Sequence, residues 1–327
     1  MFLKTYDFSL YEAYIWEVAG RIELDQFDQS QAFSFNLGYT GEKMFYDEIK
    51  NTTGGVKLWN IRLRSNGEVQ FDFLLIKDEY IINIDVKNFS GKYTFSNNNF
   101  VSENNYVEAD PLSKLYKAEQ KLKYFCTRNN INYKVKSYIL FINPMFELSG
   151  FSSHENVLYR DSIPRIVNML NKDEPLYEEI EIGKLLMKHH YPNSRYQRIH
   201  YYPYSELKPG VKCPECRELL PFSRGRQRKV RCICGFEISK SKLVDMAFHT
   251  IKILKNNVVT TTDIFNYTGI GRTTIRNVLT TNFEKCGENK GSKYTIKKSE
   301  MGIFEKTIRY EIHVGVDKSD KSTPMKQ

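Results

Sequence analysis

The chain has 327 residues, 41% of them hydrophobic and 27% charged, with a net charge of +9. These values are ordinary for a soluble protein of two or three domains, and no apolar run approaches the roughly 20 residues a membrane helix needs. The opening MFLKTYDFSL is broken by Lys4 and Asp7, so it lacks the apolar stretch of a secretory signal, and the expected location is the cytoplasm.

Taken in chain order, YTGEKMFYDEIKN opens with Thr40 as N-cap and puts Met44, Phe45, Glu48 and Ile49 at helical spacing. VKLWNIRL reads as a strand, and SNGE at 65–68 as a turn. Two further strands, VQFDFLLI and YIINIDVKNF, flank KDEY at 77–80. DPLSKLYKAEQKLKYFCTRNN reads as a helix capped by Asp110 with Pro111 at its first position. The strand KVKSYILFI and the helices DSIPRIVNML and EIGKLLMKHH follow. Alternation of strands and helices predicts an α/β domain over residues 1–205, a mixed sheet flanked by helices.

Polar residues interrupt the two central strands. Asn83, Asp85 and Lys87 share one face of theirs, and Gln70 and Asp72 share one face of the other. A two-residue turn at 78–79 would set Asp72 opposite Asp85, so Asp72, Asp85 and Lys87 would converge on one patch. Facing carboxylates repel unless a cation lies between them. Lys87 could partly fill that role, and a Mg²⁺ ion would fill it better.

Positive charge is concentrated late in the chain. Residues 1–205 carry 24 Lys+Arg against 26 Asp+Glu, whereas residues 206–300 carry 19 against 9, the footprint of a polyanion binder. Four of the six cysteines cluster here, as Cys213-Pro-Glu-Cys216 and Cys232-Ile-Cys234. Two such knuckles predict a structural Zn²⁺ site in a ribbon over 211–238, closed to catalysis because four thiolates leave no open position. Arg224, Arg226, Arg228 and Lys229 between the knuckles are candidate phosphate contacts. Residues 241–300 read as a helix, then helix, turn and helix, with Thr261 or Thr262 capping the second helix and Gly269 ending it. A hairpin with GENKG at its tip follows. This resembles a winged helix-turn-helix, with Arg272, Thr273, Thr274 and Arg276 placed to face bases or phosphates. The tail, 301–327, is polar.

The order of Gly41-Glu42, GEVQFDFLLI, YIINIDVKNFSGKY and DPLSKLYKAEQKLKYF resembles the nuclease-related domain, NERD, which is similar to the PD-(D/E)XK nuclease superfamily. The resemblance runs over roughly 38–205. It implies a PD-(D/E)XK-like fold in which Glu42, Asp72 and Asp85 hold Mg²⁺ or Mn²⁺, Lys87 is the catalytic lysine and Gln70 is a supporting polar group. It departs from the family pattern in having Asp rather than Glu before the lysine. Asp110-Pro111 replaces Asn-Pro, and Lys114 stands where the family has Gln, so Lys114 is left out of the site. The expected protein is a metal-dependent DNA nuclease delivered by a zinc ribbon and a winged helix to DNA, double-stranded because a winged helix suits a duplex major groove. A protein partner or a homodimer is compatible with this reading. Two rivals are a non-catalytic DNA-binding regulator on a nuclease-like scaffold and a module that recruits another protein.

Overall fold

The computed structural model describes residues 1–64, 67–150, 155–223, 225, 227–286 and 292–297. Arg224, Arg226, the GENKG tip and the 301–327 tail lie outside the described residues, as does part of the 65–68 turn. The elements are β1 (Phe2–Lys4), α1 (Leu10–Val18), α2 (Gln26–Ile49), β2 (Val56–Arg64), β3 (Glu68–Lys77), β4 (Tyr80–Lys87), β5 (Gly91–Ser96), β6 (Asn99–Ser102), β7 (Val107–Glu108), α3 (Pro111–Arg128), β8 (Lys134–Phe141), β9 (Phe146–Ser149), β10 (Val157–Tyr159), α4 (Ile163–Leu170) and α5 (Tyr177–Lys188). Then come β11 (Lys229–Arg231), β12 (Glu237–Ser239), α6 (Lys240–Lys255), β13 (Val259–Thr260), α7 (Thr261–Thr268), α8 (Arg272–Asn282), β14 (Glu284–Cys286) and β15 (Lys293–Thr295). No helix among the described residues is long and apolar enough to cross a membrane.

Packing divides the chain into two units, Met1–Ser9 with Gln29–Gln197 and Leu10–Asp28 with Arg198–Gln327. Of the expected 1–205 span, residues 10–28 and 198–205 group with the C-terminal region. Residues 10–28 do so because α1 packs against α6, with Ala13, Tyr14, Ile15 and Val18 buried, and because Lys212 and Arg217 beside the first cysteine knuckle donate to carbonyls at the C-terminal end of α1.

The first unit is a mixed sheet flanked by helices, with strand order β1-β2-β3-β4-β8-β10. β2, β3 and β4 run antiparallel, while β8 lies parallel to β4 and β10 parallel to β8. On one face Phe45 of α2 packs edge-on against Phe73, which stacks on Trp59. On the other, Leu58, Leu74 and Ile76 are buried with Leu122 and Phe125 of α3 and Ile182 and Leu186 of α5. A second sheet, β7-β6-β5-β9, gathers Phe89, Tyr93, Phe100, Phe141 and Phe146 into a smaller core. Nothing in the periodicity of residues 91–108 announces this sheet, since its strands are short and half-exposed.

Two local expectations are corrected. α2 begins fourteen residues before Thr40, at Gln26, where Asp25 caps it by accepting from the Asp28 N–H at 2.8 Å. The Thr40 hydroxyl instead donates back to the Asn36 carbonyl at 2.8 Å, the usual habit of a threonine inside a helix. In the second unit Thr260 caps α7, accepting from Asp263 N–H at 3.1 Å while the Asp263 carboxylate accepts from the Thr260 N–H at 2.8 Å. Gly269 ends that helix at φ 67°, as its position in the sequence requires.

The second unit packs α6 with α7 and α8 around Leu243, Val244, Ala247, Ile251, Ile264, Ile275 and Leu279, all buried. β13, β15 and β14 form a three-stranded antiparallel sheet, and β11 pairs with β12 as a hairpin.

Candidate active site

The turn between β3 and β4 fixes the site. Asp78 and Glu79 have φ of 49° and 63°, the left-handed pair of a tight two-residue hairpin. The ladder then runs from Lys77 opposite Tyr80 to Phe73 opposite Ile84. One more step on this register sets Asp72 across from Asp85. The paired ladder stops there, and the Val86 N–H donates to Asp72 Oδ2 at 2.8 Å.

Lys87 Nζ lies 3.0 Å from Asp85 Oδ2, with both side chains partly covered. Together Asp72, Asp85 and Lys87 line a cleft of about 220 Å³. Its other walls come from Gln70 and Asn83 on the sheet, Glu108 of β7, and Pro111, Lys114 and Leu115 at the start of α3. Asp110 caps α3 as expected, accepting from the Ser113 N–H at 3.3 Å, so the helix presents its N-terminal turn to the cleft. A larger and more open hollow of about 420 Å³ lies beside Asn129, Ile131, Glu181 and Lys188, but Glu181 there merely pairs with Lys184 at 2.8 Å on an exposed helix face.

Burial, and then the charge of Asp85, push the Asp72 carboxyl up to about 7, outweighing Lys87 and the Val86 N–H. Burial alone would lower Lys87. Asp85 and Asp72, with Glu108 behind them, hold it above the ordinary lysine value instead. The ammonium therefore stays charged at neutral pH. The Asp72 shift has a testable consequence in chelator. The folded side chain keeps its proton to about pH 7, whereas the unfolded one loses it near 3.8. Its contribution to stability is then full below about pH 4 and is lost as pH rises towards 7. Melting curves in EDTA are expected to show wild type falling progressively behind Asp72→Asn across that window and levelling above it. Parallel curves would refute the shift.

Two residues assigned by resemblance have side-chain partners of their own. Glu42 is buried in the middle of α2 and does not line the cleft. Its carboxylate accepts from the Trp59 indole N–H at 2.6 Å on the aromatic face of the sheet. Glu42→Gln keeps an acceptor there and is expected to leave any cleavage rate within about twofold while lowering the melting temperature, the loss of one charge-assisted hydrogen bond. A rate loss like that of Asp85→Ala would return Glu42 to the site. The neighbouring Gly41, read as a helix start, is instead a close-packing point, because a Cβ there would come 2.5 Å from Asn88 Cβ. Gln70 does line the cleft, but Arg62 donates to its Oε1 at 2.6 Å and its Nε2 donates to Asn60 at 3.0 Å. It braces the wall, with its amide already satisfied.

Glu108, which the sequence reading missed, and Lys114, which it left out of the site, both line the cleft and meet there as a 2.9 Å ion pair. The available signal was the spacing of Glu108, two residues before the Asp110-Pro111 helix start.

In the second unit the Sγ atoms of Cys213, Cys216, Cys232 and Cys234 all lie within 4.8 Å of one another. Cys213 and Cys234 are 3.7 Å apart and Cys216 and Cys232 3.5 Å. A tetrahedron of thiolates at zinc bond lengths has edges of about 3.8 Å, so the four thiols fit one ion. Arg272, Thr273, Thr274 and Arg276 are exposed along the start of α8, with the Arg272 guanidinium 5.5 Å from the Phe265 ring centre. Arg228 and Lys229 are exposed on the β11 hairpin, and Lys229 pairs with Glu237 at 3.2 Å.

No curated protein and no solved structure matches the chain. A family model does match, over a shorter span than the 38–205 expected, running from the second half of α2 to the end of β8 and taking in Asp72, Asp85 and Lys87. Residues 37–142 match the model of the nuclease-related domain, NERD.

Proposed function

We propose that the first unit is a metal-dependent deoxyribonuclease and that the second unit binds the DNA it cuts, through a zinc ribbon and a winged helix. The observation that carries this reading is the facing pair Asp72 and Asp85 beside Lys87, in a cleft inside the matched domain. Two carboxylates that cannot comfortably ionise together make an oxygen-donor set that a divalent cation relieves, which fits Mg²⁺ or Mn²⁺. When bound there, such an ion supplies Lewis-acid polarisation of a phosphoryl oxygen and a more acidic bound water.

The chain's own residues have separable tasks. Asp72 and Asp85 hold the cation, and Asp72 must give up its proton to do so. Lys87, charged at neutral pH, cannot serve as a general base. It offsets the negative charge that grows on the phosphate oxygens in the transition state. The first turn of α3 brings the positive end of the helix dipole to the cleft, whereas the charge of Lys114 there is offset by Glu108 at 2.9 Å.

The reading is tested by incubating purified full-length protein with supercoiled plasmid, linear duplex and single-stranded DNA, in Mg²⁺, in Mn²⁺ and in EDTA. Metal-dependent cutting is expected, and absence of cutting on every substrate with DNA binding intact would leave a binding protein on a nuclease-like scaffold. For the second unit, Arg272→Ala with Arg276→Ala is expected to weaken duplex binding. The double variant should also flatten the dependence of log K on log salt by about 2, near 0.9 per lost phosphate contact. An unchanged slope would remove α8 from the interface.

A further inference from the structure

The cleft contains an acceptor that the protein does not satisfy. Asn83 stands two residues before Asp85 on β4, so strand alternation turns its side chain to the same face. The residue is 2% exposed. Its Nδ2 donates to Ser137 Oγ on the neighbouring β8 at 3.3 Å, whereas its Oδ1 is buried with no hydrogen-bond partner. Leu74 is its cross-strand neighbour on β3, and the apolar core continues beside it with Ile81 and Ile76. An aliphatic side chain would suit this position for folding alone, and a buried carbonyl oxygen without a partner is costly. Asn83 lines the same cleft as Asp72, Asp85 and Lys87.

We infer that Asn83 is a member of the cation site, its Oδ1 acting as a third, neutral oxygen donor beside the carboxylates of Asp72 and Asp85. The inference rests on the nuclease reading and goes beyond it by assigning the residue that takes the place Glu42 vacates. An amide oxygen added to two carboxylates makes a hard, all-oxygen set, which favours Mg²⁺ and Mn²⁺ over softer metals. The amide adds a donor without adding negative charge to a pair that already repels. Ser137 holds the amide by its nitrogen and leaves the oxygen as its unpartnered end.

The test is Mn²⁺ binding to zinc-loaded full-length protein, with free Mn²⁺ read by electron paramagnetic resonance. Wild type is expected to hold one Mn²⁺ that Asp85→Ala loses. Asn83→Leu, matched in shape, should weaken that site about tenfold or more, and Asn83→Asp should retain it. Should Asn83→Leu fail to fold by circular dichroism, Asn83→Ser, whose hydroxyl is too short to reach, should show the same weakening. An Asn83→Leu or Asn83→Ser protein that binds Mn²⁺ as wild type does would overturn the inference and leave the nuclease reading standing. A wild type with no Mn²⁺ site sensitive to Asp85→Ala would overturn both.

Discussion

Lys87→Ala and Asp85→Ala are each expected to cut plasmid DNA at least about 10²–10³-fold more slowly than wild type, the scale of losing one preorganised group that stabilises transition-state charge. The two should fail for different reasons, and the difference is measurable. Asp85→Ala removes a cation ligand, so raising Mg²⁺ should recover part of its rate. Lys87→Ala leaves the oxygen donors in place, so saturating Mg²⁺ should not rescue it. Lys87→Ala also strips Asp85 of its 3.0 Å partner, leaving a partly buried carboxylate uncompensated beside Asp72. In EDTA that variant should melt below wild type, and Mg²⁺ should close the gap by replacing the missing positive charge. Because the lysine stays protonated, the wild-type rate should not follow a lysine titration between pH 7 and 9. A Lys87→Ala protein that cuts at the wild-type rate would sink the assignment, whatever its stability.

The same residues indicate what a sequence can carry. The convergence of Asp72, Asp85 and Lys87 was legible because it depends on two short-range rules, the period of two along a strand and the register set by a two-residue turn. The Asp110 cap and Pro111 start of α3 were legible for the same reason, since everything they need lies within four residues. Glu42 was not, because its partner is Trp59, a strand away in sequence, and the indole N–H has first claim on its carboxylate. The start of α2 was misplaced because Thr40 and Gly41 imitate a helix entry. Thr40 is an interior residue bonded back to Asn36, and Gly41 is small to admit Asn88. Asn83 was visible as a polar residue on the right face, but its unsatisfied oxygen emerges only once Ser137 is placed beside it. The grouping of α1 with the C-terminal region was beyond reach because it depends on contacts some 190 residues apart in the chain.

Those contacts bear on the other large expected effect, loss of the four-cysteine metal. Lys212 Nζ, next to Cys213, donates to the carbonyls of Trp16 and Ala19 at 2.7 Å each. Arg217, just after Cys216, donates to the Trp16 carbonyl at 2.8 Å and lies with its guanidinium 4.5 Å from the Trp16 ring centre. Buried Glu17 pairs with Arg21 at 3.1 Å and sits 3.8 Å from Arg217. The knuckle that offers two thiolates thus also holds α1. A segment of this size has little apolar core of its own, so a zinc ion on the four thiolates would supply much of its folding free energy. Structural zinc contributes about 10–16 kcal/mol in isolated modules, comparable to the net stability of about 5–15 kcal/mol typical of a whole domain. Cys216→Ser, Cys232→Ser or a strong zinc chelator is therefore expected to unfold the ribbon and release Trp16 from Lys212 and Arg217, while α1 keeps its packing on α6. The chain has only two tryptophans, Trp16 and Trp59, so in a Trp59→Phe background the fluorescence of Trp16 reports the release directly. It should move to the red as zinc leaves, at about one ion per chain, and return when zinc is restored. Duplex binding should fall in step, while the Mn²⁺ site in the first unit persists. Tryptophan emission unchanged in a protein shown to be zinc-free would refute the idea that the ion holds the ribbon against Trp16.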